Sequence, residues 1–321
     1  MSREKKWNAV LVGDIFIDLV MSGFASWPQP GEEAFAKRLV RDIGGGVAIT
    51  ACGLAQLGMS VSIVAVVGSE DGSWVVERLL ARGVDTTLIR YDSSEPTALT
   101  VSVSSAEERA FFTYSSVNRM LPDVLADAEA RSEMARARHI HLACALEPDL
   151  LTDLCRALHA EGCRVSLDVG WHESWLGDPR SLHALREIDL FLPNEREAEL
   201  MTGHSDPEAA LRVFAEAGVR AVALKLGASG AALLCDGTIW LREAYPVNPV
   251  DTTGAGDCFD AGFIAAWLQG ESPETCLQIA NTCGALSTRR LGGISAFPTR
   301  DELEATLQKP VVSLVSQGRQ R

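Results

Sequence analysis

The chain predicts an α/β fold: a mostly parallel β-sheet with helices on both faces, and a small β-sheet set apart from it. Three observations predict this. Short apolar runs ending in Gly, Asp or Asn alternate with helix-length segments through the second half of the chain, the pattern of strands covered on both faces by crossover helices. Two stretches rich in β-formers, residues 97–104 and 110–115, flank the polar turn Ser105-Ala106-Glu107-Glu108 and read as a hairpin. The run Asp251-Thr252-Thr253-Gly254-Ala255-Gly256-Asp257 opens a helix over residues 254–269, where small residues leave backbone N–H groups bare.

In chain order, residues 8–13 form an apolar strand that ends before Asp14. Residues 15–43 alternate irregularly and contain Pro28, Pro30 and Gly31, which suits short strands and no helix. Gly44-Gly45-Gly46 then opens a helix over residues 47–57, stopped by Gly58. Residues 61–67 read as a strand and 71–82 as a helix stopped by Gly83. Beyond the hairpin, strands at 139–144, 164–168, 190–192, 221–226 and 231–235 alternate with helices at 122–136, 147–160, 195–201, 207–217, 254–269 and 273–289. In parallel α/β sheets ligands sit beyond the carboxyl ends of the strands. Asp14, Asp168, Asn194 and Gly227 all fall there, which points to one site built from distant pieces.

The 321 residues allow one large α/β domain or two small ones, and a 47% hydrophobic, 22% charged composition suits a globular protein with a sizeable core. A net charge of −14 argues against nucleic acid or an anionic membrane as partner. It also requires that any polyanion be held locally, by helix N-termini, a metal ion or a few placed cations. The eight cysteines include no Cys-x-x-Cys pair and read as reduced thiols of a cytoplasmic protein. The first apolar run is interrupted by Asp14 and Asp18, unlike a signal peptide or a membrane span.

The bare amides of Gly254, Ala255 and Gly256, with a helix dipole behind them, suit an anion. Asp257 lies inside that site, where a phosphate would repel it. A carboxylate placed there suits the removal of a proton from a hydroxyl that attacks a phosphoryl group; the bland reading is an ordinary helix cap. The run is not a dinucleotide fingerprint, because Phe259 stands where the third glycine belongs, and no Gly-Lys pair supplies a Walker loop. Asp14 and Asp18, near the triple glycine at 44–46, suit a ligand with several hydroxyls. Lys225 is the only lysine between Lys37 and Lys309. It reads either as a cation for nucleotide phosphates or as a strand-end lysine snorkelling to water. Asn194 and Glu197 read as a helix cap or as an outer partner of Mg²⁺. His139 and His141 share a strand face with no third ligand in pattern, and read as strand-end packing.

From residue 10 to about residue 298 the chain resembles the ribokinase-like, or PfkB, carbohydrate kinase family. The resemblance rests on the run 251–257, on Gly44-Gly45 leading to Ala55-Gln56-Leu57-Gly58, and on Asn194-x-x-Glu197 and Lys225-x-Gly227-x-x-Gly230 in order between them. It implies a ribokinase-like fold in a single domain over residues 1–321, with a discontinuous β lid from about 15–43 and 97–115. By the resemblance Asp257 is the catalytic base and the amides of Gly254, Ala255 and Gly256 form the anion hole. Asp14, Asp18, Gly44 and Gly45 would touch the sugar. Asn194, Lys225 and Gly227 would lie near the ATP phosphates, Asn281 near the adenine and Glu197 on the Mg²⁺ side, through water. K⁺, which family members often bind beside the anion hole, would use Asp251, the Thr253 carbonyl and the loop up to Ser295.

One position departs from the family pattern. An Asn that binds a sugar hydroxyl usually stands four residues after the second glycine; here it is Ile49, and the Thr50 hydroxyl should point elsewhere. The expected activity is ATP- and Mg²⁺-dependent phosphorylation of a primary hydroxyl on a sugar or sugar-like alcohol. A nucleoside kinase on the same scaffold is the alternative, with Phe111, Phe112 and Tyr114 available to stack a base. A catalytically silent sugar-binding regulator is the third reading, against which the retained Asp257 argues. The partners implied are the small-molecule substrate and, through the lid, a second copy of the chain.

Overall fold

The computed structural model describes residues 4–24, 27–28, 31–104, 109–290 and 292–308. Its strands in chain order are β1 (Trp7–Gly13), β2 (Phe16–Ser22), β3 (Arg38–Gly44), β4 (Val61–Val64), β5 (Val66–Gly68), β6 (Arg90–Asp92), β7 (Leu99–Ser104), β8 (Arg109–Tyr114), β9 (Ala137–Ala143), β10 (Arg164–Leu167), β11 (Leu190–Phe191), β12 (Ala221–Lys225), β13 (Ala231–Cys235) and β14 (Thr238–Arg242). Eight of them form the main sheet in the order β14-β13-β12-β11-β10-β9-β1-β4. From β4 to β12 all pairings are parallel.

The apolar strands follow from burial on both faces. On β1, Val10 and Val12 enter one core together with Leu151 and Leu154 of the helix Pro148–Ala160. Ala9 and Leu11 enter the other, with Val47 and Leu54 of the helix Gly46–Gln56 and Ala261 and Ile264 of the helix Ala255–Gln269. A strand with a core on each side has no polar face to alternate, so it reads as a continuous apolar run.

Three expectations are corrected, and several elements went unread. β13 and β14 run antiparallel to their neighbours, because only Leu226–Gly230 joins β12 to β13 and a parallel return needs a crossover of a dozen or more residues. The run 61–67 divides at Ala65 into β4, which joins the main sheet, and β5, which pairs with β6. The segment 122–136 divides into helices Leu121–Ala126 and Ala128–Met134, because the extended Asp127 accepts the Ala130 N–H and caps the second. β6, β14 and the helices Glu173–Leu176, Pro179–Ala184, Gly293–Ala296 and Arg300–Leu307 carried too short a pattern to be read. The expected turn at 105–108 lies outside the described residues.

The smaller sheet has the order β3-β2-β7-β8. Its register puts Asp18, Asp42, Thr100 and Thr113 on one face, and Leu19, Val101 and Phe112 on the other. Among the described residues no helix is long and apolar enough to cross a membrane.

Candidate active site

Three successive glycines at the end of β3 bring the Asp18 carboxylate, the Asp14 backbone and the Asp257 carboxylate to one turn. Gly44 lies against the Asp18 carboxylate and Gly45 against the Asp14 carbonyl, both too close for any side chain. Gly45 also has φ 94°, which an L side chain rarely adopts. A Cβ on Gly46 would lie 2.7 Å from Asp257 Oδ1. The helices that carry Gly46 and Asp257 can approach because Gly53 faces Ala261 where a Cβ would stand 2.8 Å away. Thr50, fully buried, donates its hydroxyl to the Asp257 carbonyl at 3.2 Å. It therefore braces the helix start and points away from the cleft, as its helical position predicts.

Gly254 caps the helix Ala255–Gln269 in the left-handed conformation, with no side chain on its amides. Asp257 is in the first turn. Burial raises its carboxyl to about 7, with Asp168 adding to the shift. Asp14 and Asp18 are each raised to about 6, chiefly by burial; Asp42 adds to the rise at Asp18 and His172 opposes it at Asp14. Ile49 presses its Cδ1 against both Gly254 and Gly293, closing one side of the glycine turn with hydrocarbon.

Asp251 organises the other side. Its Oδ1 accepts from the Thr253 amide at 3.0 Å and hydroxyl at 2.7 Å, and its Oδ2 from the Gly292 amide at 3.1 Å. Ser295 lies beside Gly292, so Asp251, Thr253 and Ser295 meet where the 251–254 loop touches the 292–295 turn.

Across the helix start lies a cavity of about 440 Å³ whose lining includes Lys225, Gly227, Ala255, Gly256, Phe259 and Asn281. Asn281 donates to the carbonyls of Arg242 and Glu243 at 3.1 and 3.2 Å, tying its helix to the wall that follows β14. Asn194 is not part of the lining. Its side chain accepts from Glu197 N–H at 3.0 Å while Glu197 accepts both the Asn194 amide N–H and its Nδ2, a complete capping box. Burial raises the Glu197 carboxyl, and nearby Asp168 adds to it.

Lys225 does not snorkel. Its Nζ lies 2.6 Å from Asp168 Oδ2 and 3.3 Å from Asp260 Oδ1, with only 12% of the side chain exposed. Burial opposes its charge, but Asp168 and Asp260 hold the ammonium protonated. Burial likewise opposes the charge of Asp168, and Lys225 overcomes it, leaving that carboxyl below its ordinary range. Asp260 is fully buried and its carboxyl is pushed well up. Oxygens of Asp168, Asp257 and Asp260 lie within 4.8 Å of one another. Sequence reasoning noted Asp168 only as a strand end and missed Asp260. The available signal was spacing: Asp260 is three residues after Asp257, on the same side of one helix.

His139 and His141 are corrected from strand-end packing to the interior. Both are fully buried and meet the Ser166 hydroxyl, His139 through Nε2 at 2.7 Å and His141 through Nδ1 at 2.8 Å. Burial lowers them to about 3 and about 4, so both are neutral.

The family model for pfkB family carbohydrate kinases matches residues 7–300. An ATP-dependent ribose-1-phosphate kinase of Halopiger xanaduensis is 32% identical over 286 residues, which cover 88% of this chain and 92% of that protein. The structure of Arabidopsis thaliana ribokinase complexed with ribose and ATP superposes with a TM-score of 0.85 at 26% identity, covering 95% of this chain and 99% of the other. A putative ribokinase II of E. coli, in complex with ATP and Mg²⁺, superposes at 0.79 with 27% identity, covering 94% and 99%. With the family match running through both sheets and both glycine turns, this chain belongs to the pfkB family and is a carbohydrate kinase.

Proposed function

We propose that the protein transfers the γ-phosphoryl group of ATP to a primary hydroxyl of a sugar or sugar-like alcohol. The observation that carries the proposal is the placement of Asp257. It stands at the start of a glycine-bounded helix, between the cavity lined by Lys225 and Gly227 and the glycine turn that abuts the Asp18 carboxylate and the Asp14 backbone. Three roles meet there. Asp14 and Asp18 accept hydrogen bonds from sugar hydroxyls, with Gly44 and Gly45 letting the ligand reach the backbone. Asp257 takes the proton of the attacking hydroxyl, and a carboxyl near 7 can both accept and release it at neutral pH. The amides of Gly254, Ala255 and Gly256 face the charge that grows on the transferring group.

ATP fits the cavity by its lining: bare backbone at Gly227 and Gly256 for phosphates, and the apolar Phe259 and the Asn281-braced wall for the base. Mg²⁺, when bound, would neutralise and orient those phosphates. Glu197 fits an outer role through water, because both of its oxygens already serve Asn194. Asp251, the Thr253 carbonyl and the Ser295 loop would hold K⁺. The smaller sheet serves as the lid over the sugar, Asp18 facing inward. Its other face bears Phe112 and Leu39, 60% and 65% exposed, and supports pairing of two lids in a homodimer. The buried free thiols suit a cytoplasmic enzyme.

A nucleoside is the second reading, and Phe111 favours it: of the three lid aromatics it alone shares the face of Asp18, while Phe112 and Tyr114 point to the other. The test is ADP release over a panel of pentoses, hexoses, ribose 1-phosphate and nucleosides with ATP and Mg²⁺. Turnover of a sugar lost in Asp257→Asn supports the proposal; no turnover with any alcohol restores a silent binding protein.

A further inference from the structure

Three carboxylates and one ammonium crowd the floor of the nucleotide cavity. Among the described residues Lys225 is the cation that meets them, and it bridges Asp168 and Asp260. Neither acid takes part in the chemistry proposed above. Three ionised carboxylates around one ammonium would leave two net charges in a mostly buried space, which is costly unless a proton is retained. Asp168 has the short contact to Lys225 and accepts the Gly170 amide at 2.9 Å, so it is the natural anion. Asp260 has no exposed surface and sits within hydrogen-bonding reach of Asp168. A carboxylic acid there can donate its O–H to Asp168 while its carbonyl oxygen accepts from Lys225.

We propose that Asp260 is a positioning residue for phosphoryl transfer, a neutral acid that bridges Asp168 and Lys225 and holds the Lys225 ammonium against the Gly256 turn. This rests on the kinase reading for its functional consequence, though not for its geometry. Lys225 Nζ lies 3.5 Å from where a Cβ on Gly256 would stand, so the ammonium borders the amides that face the phosphate. The groups facing this pair are Asp257 on the same helix, Asp168 beyond β10 and Glu197 on the helix after β11. His141 on β9, neutral, lies behind Asp168 with its Nε2 unpaired. Asp260 thus removes one charge from beside Asp257 without removing an arm from Lys225.

The test uses Asp260→Leu, Asp260→Asn, Lys225→Met and the Lys225→Met/Asp260→Leu double variant. Asp260→Leu should lower kcat/KM for ATP by about tenfold or more, the scale of a charged hydrogen bond, with sugar KM little changed. Asp260→Asn offers the same donor and acceptor as the neutral acid and should restore most of the loss. The double variant should be no worse than Lys225→Met, because Asp260 acts through the lysine. The chain has five lysines, so the buried ammonium can also be followed by nitrogen NMR with no substrate present. Its exchange-protected signal should vanish in Lys225→Met, lose protection in Asp260→Leu and persist in Asp260→Asn. An unshifted signal in Asp260→Leu, or additive losses in the double variant, overturns the positioning role. Equal damage from Asn and Leu overturns the neutral acid. Were the wild type to phosphorylate nothing, the kinase reading would fall while the lysine spectrum still decided Asp260.

Discussion

Gly46 faces Asp257 so closely that a methyl group on its Cα would lie 2.7 Å from the Asp257 Oδ1. These residues are far apart in the chain and on different helices, each in the opening turn. The glycine turn therefore meets Asp18 at Gly44, the Asp14 carbonyl at Gly45 and the candidate base at Gly46.

Gly46→Ala should separate catalysis from folding. Alanine is a better helix former than glycine by about 1 kcal/mol, and φ at Gly46 is not positive. Thermal stability should be unchanged or slightly raised. The displaced carboxylate should lower kcat by at least about tenfold, since small misplacements of a reacting group are costly. Steady-state kinetics beside a melting curve check this, and wild-type kcat would show that Asp257 has room to move.

Asp257→Asn should lower kcat by about 10²–10⁴-fold and stabilise the ligand-free protein at alkaline pH. The folded carboxyl titrates near 7 and the unfolded one near 3.8. Between these values the native state binds more protons, so stability falls as pH rises through the window and the full penalty stands above 7. The variant removes that penalty. Its melting temperature should exceed the wild type's at pH 8 and approach it near pH 4; equal melting temperatures at pH 8 would mean that burial does not burden this carboxylate.

The acid limb of the rate profile should reflect the same group. Asp257 acts as a base only when ionised, so kcat should rise with pH through about 7 and level off above it. In kcat/KM for the sugar, Asp14 and Asp18, both near 6, should steepen the acid side. A flat profile from pH 5 to 8 would remove Asp257 from the proton transfer.

Ile49→Asn should shift substrate choice. Ile49 is 8% exposed and packs on Gly254 and Gly293. An amide there should improve turnover of a ribose-like sugar and harm the native substrate. A buried amide without a partner costs about 1–3 kcal/mol, so some stability should be lost too. The check is kcat/KM over pentoses, hexoses and nucleosides for both proteins; efficient ribose phosphorylation by the wild type would show that Ile49 does not govern selection.

Much of the architecture was legible because it is written locally. Strands β1 and β12 are apolar runs, since a core lies on each face. Glycines 44–46 and 254–256 announce backbone that must come close to something. The direction of β13 and the division of residues 61–67 were not legible, since both depend on which neighbour a strand finds.

The site divides in the same way. Residue types and spacing along the chain name Asp257, its glycine turn and the strand-end residues Asp14 and Lys225, because those features are properties of one segment at a time. What Lys225 touches is a different matter. Asp168 follows β10 and Asp260 lies on the helix after Gly254, and only the packing of that helix over the sheet puts both beside one ammonium. The same packing buries most of these groups, so their charges settle largely among themselves. Protonation at Asp257 and Asp260 is thus set by neighbours tens of residues distant, since an electrostatic energy depends on separation in space and on what fills the gap.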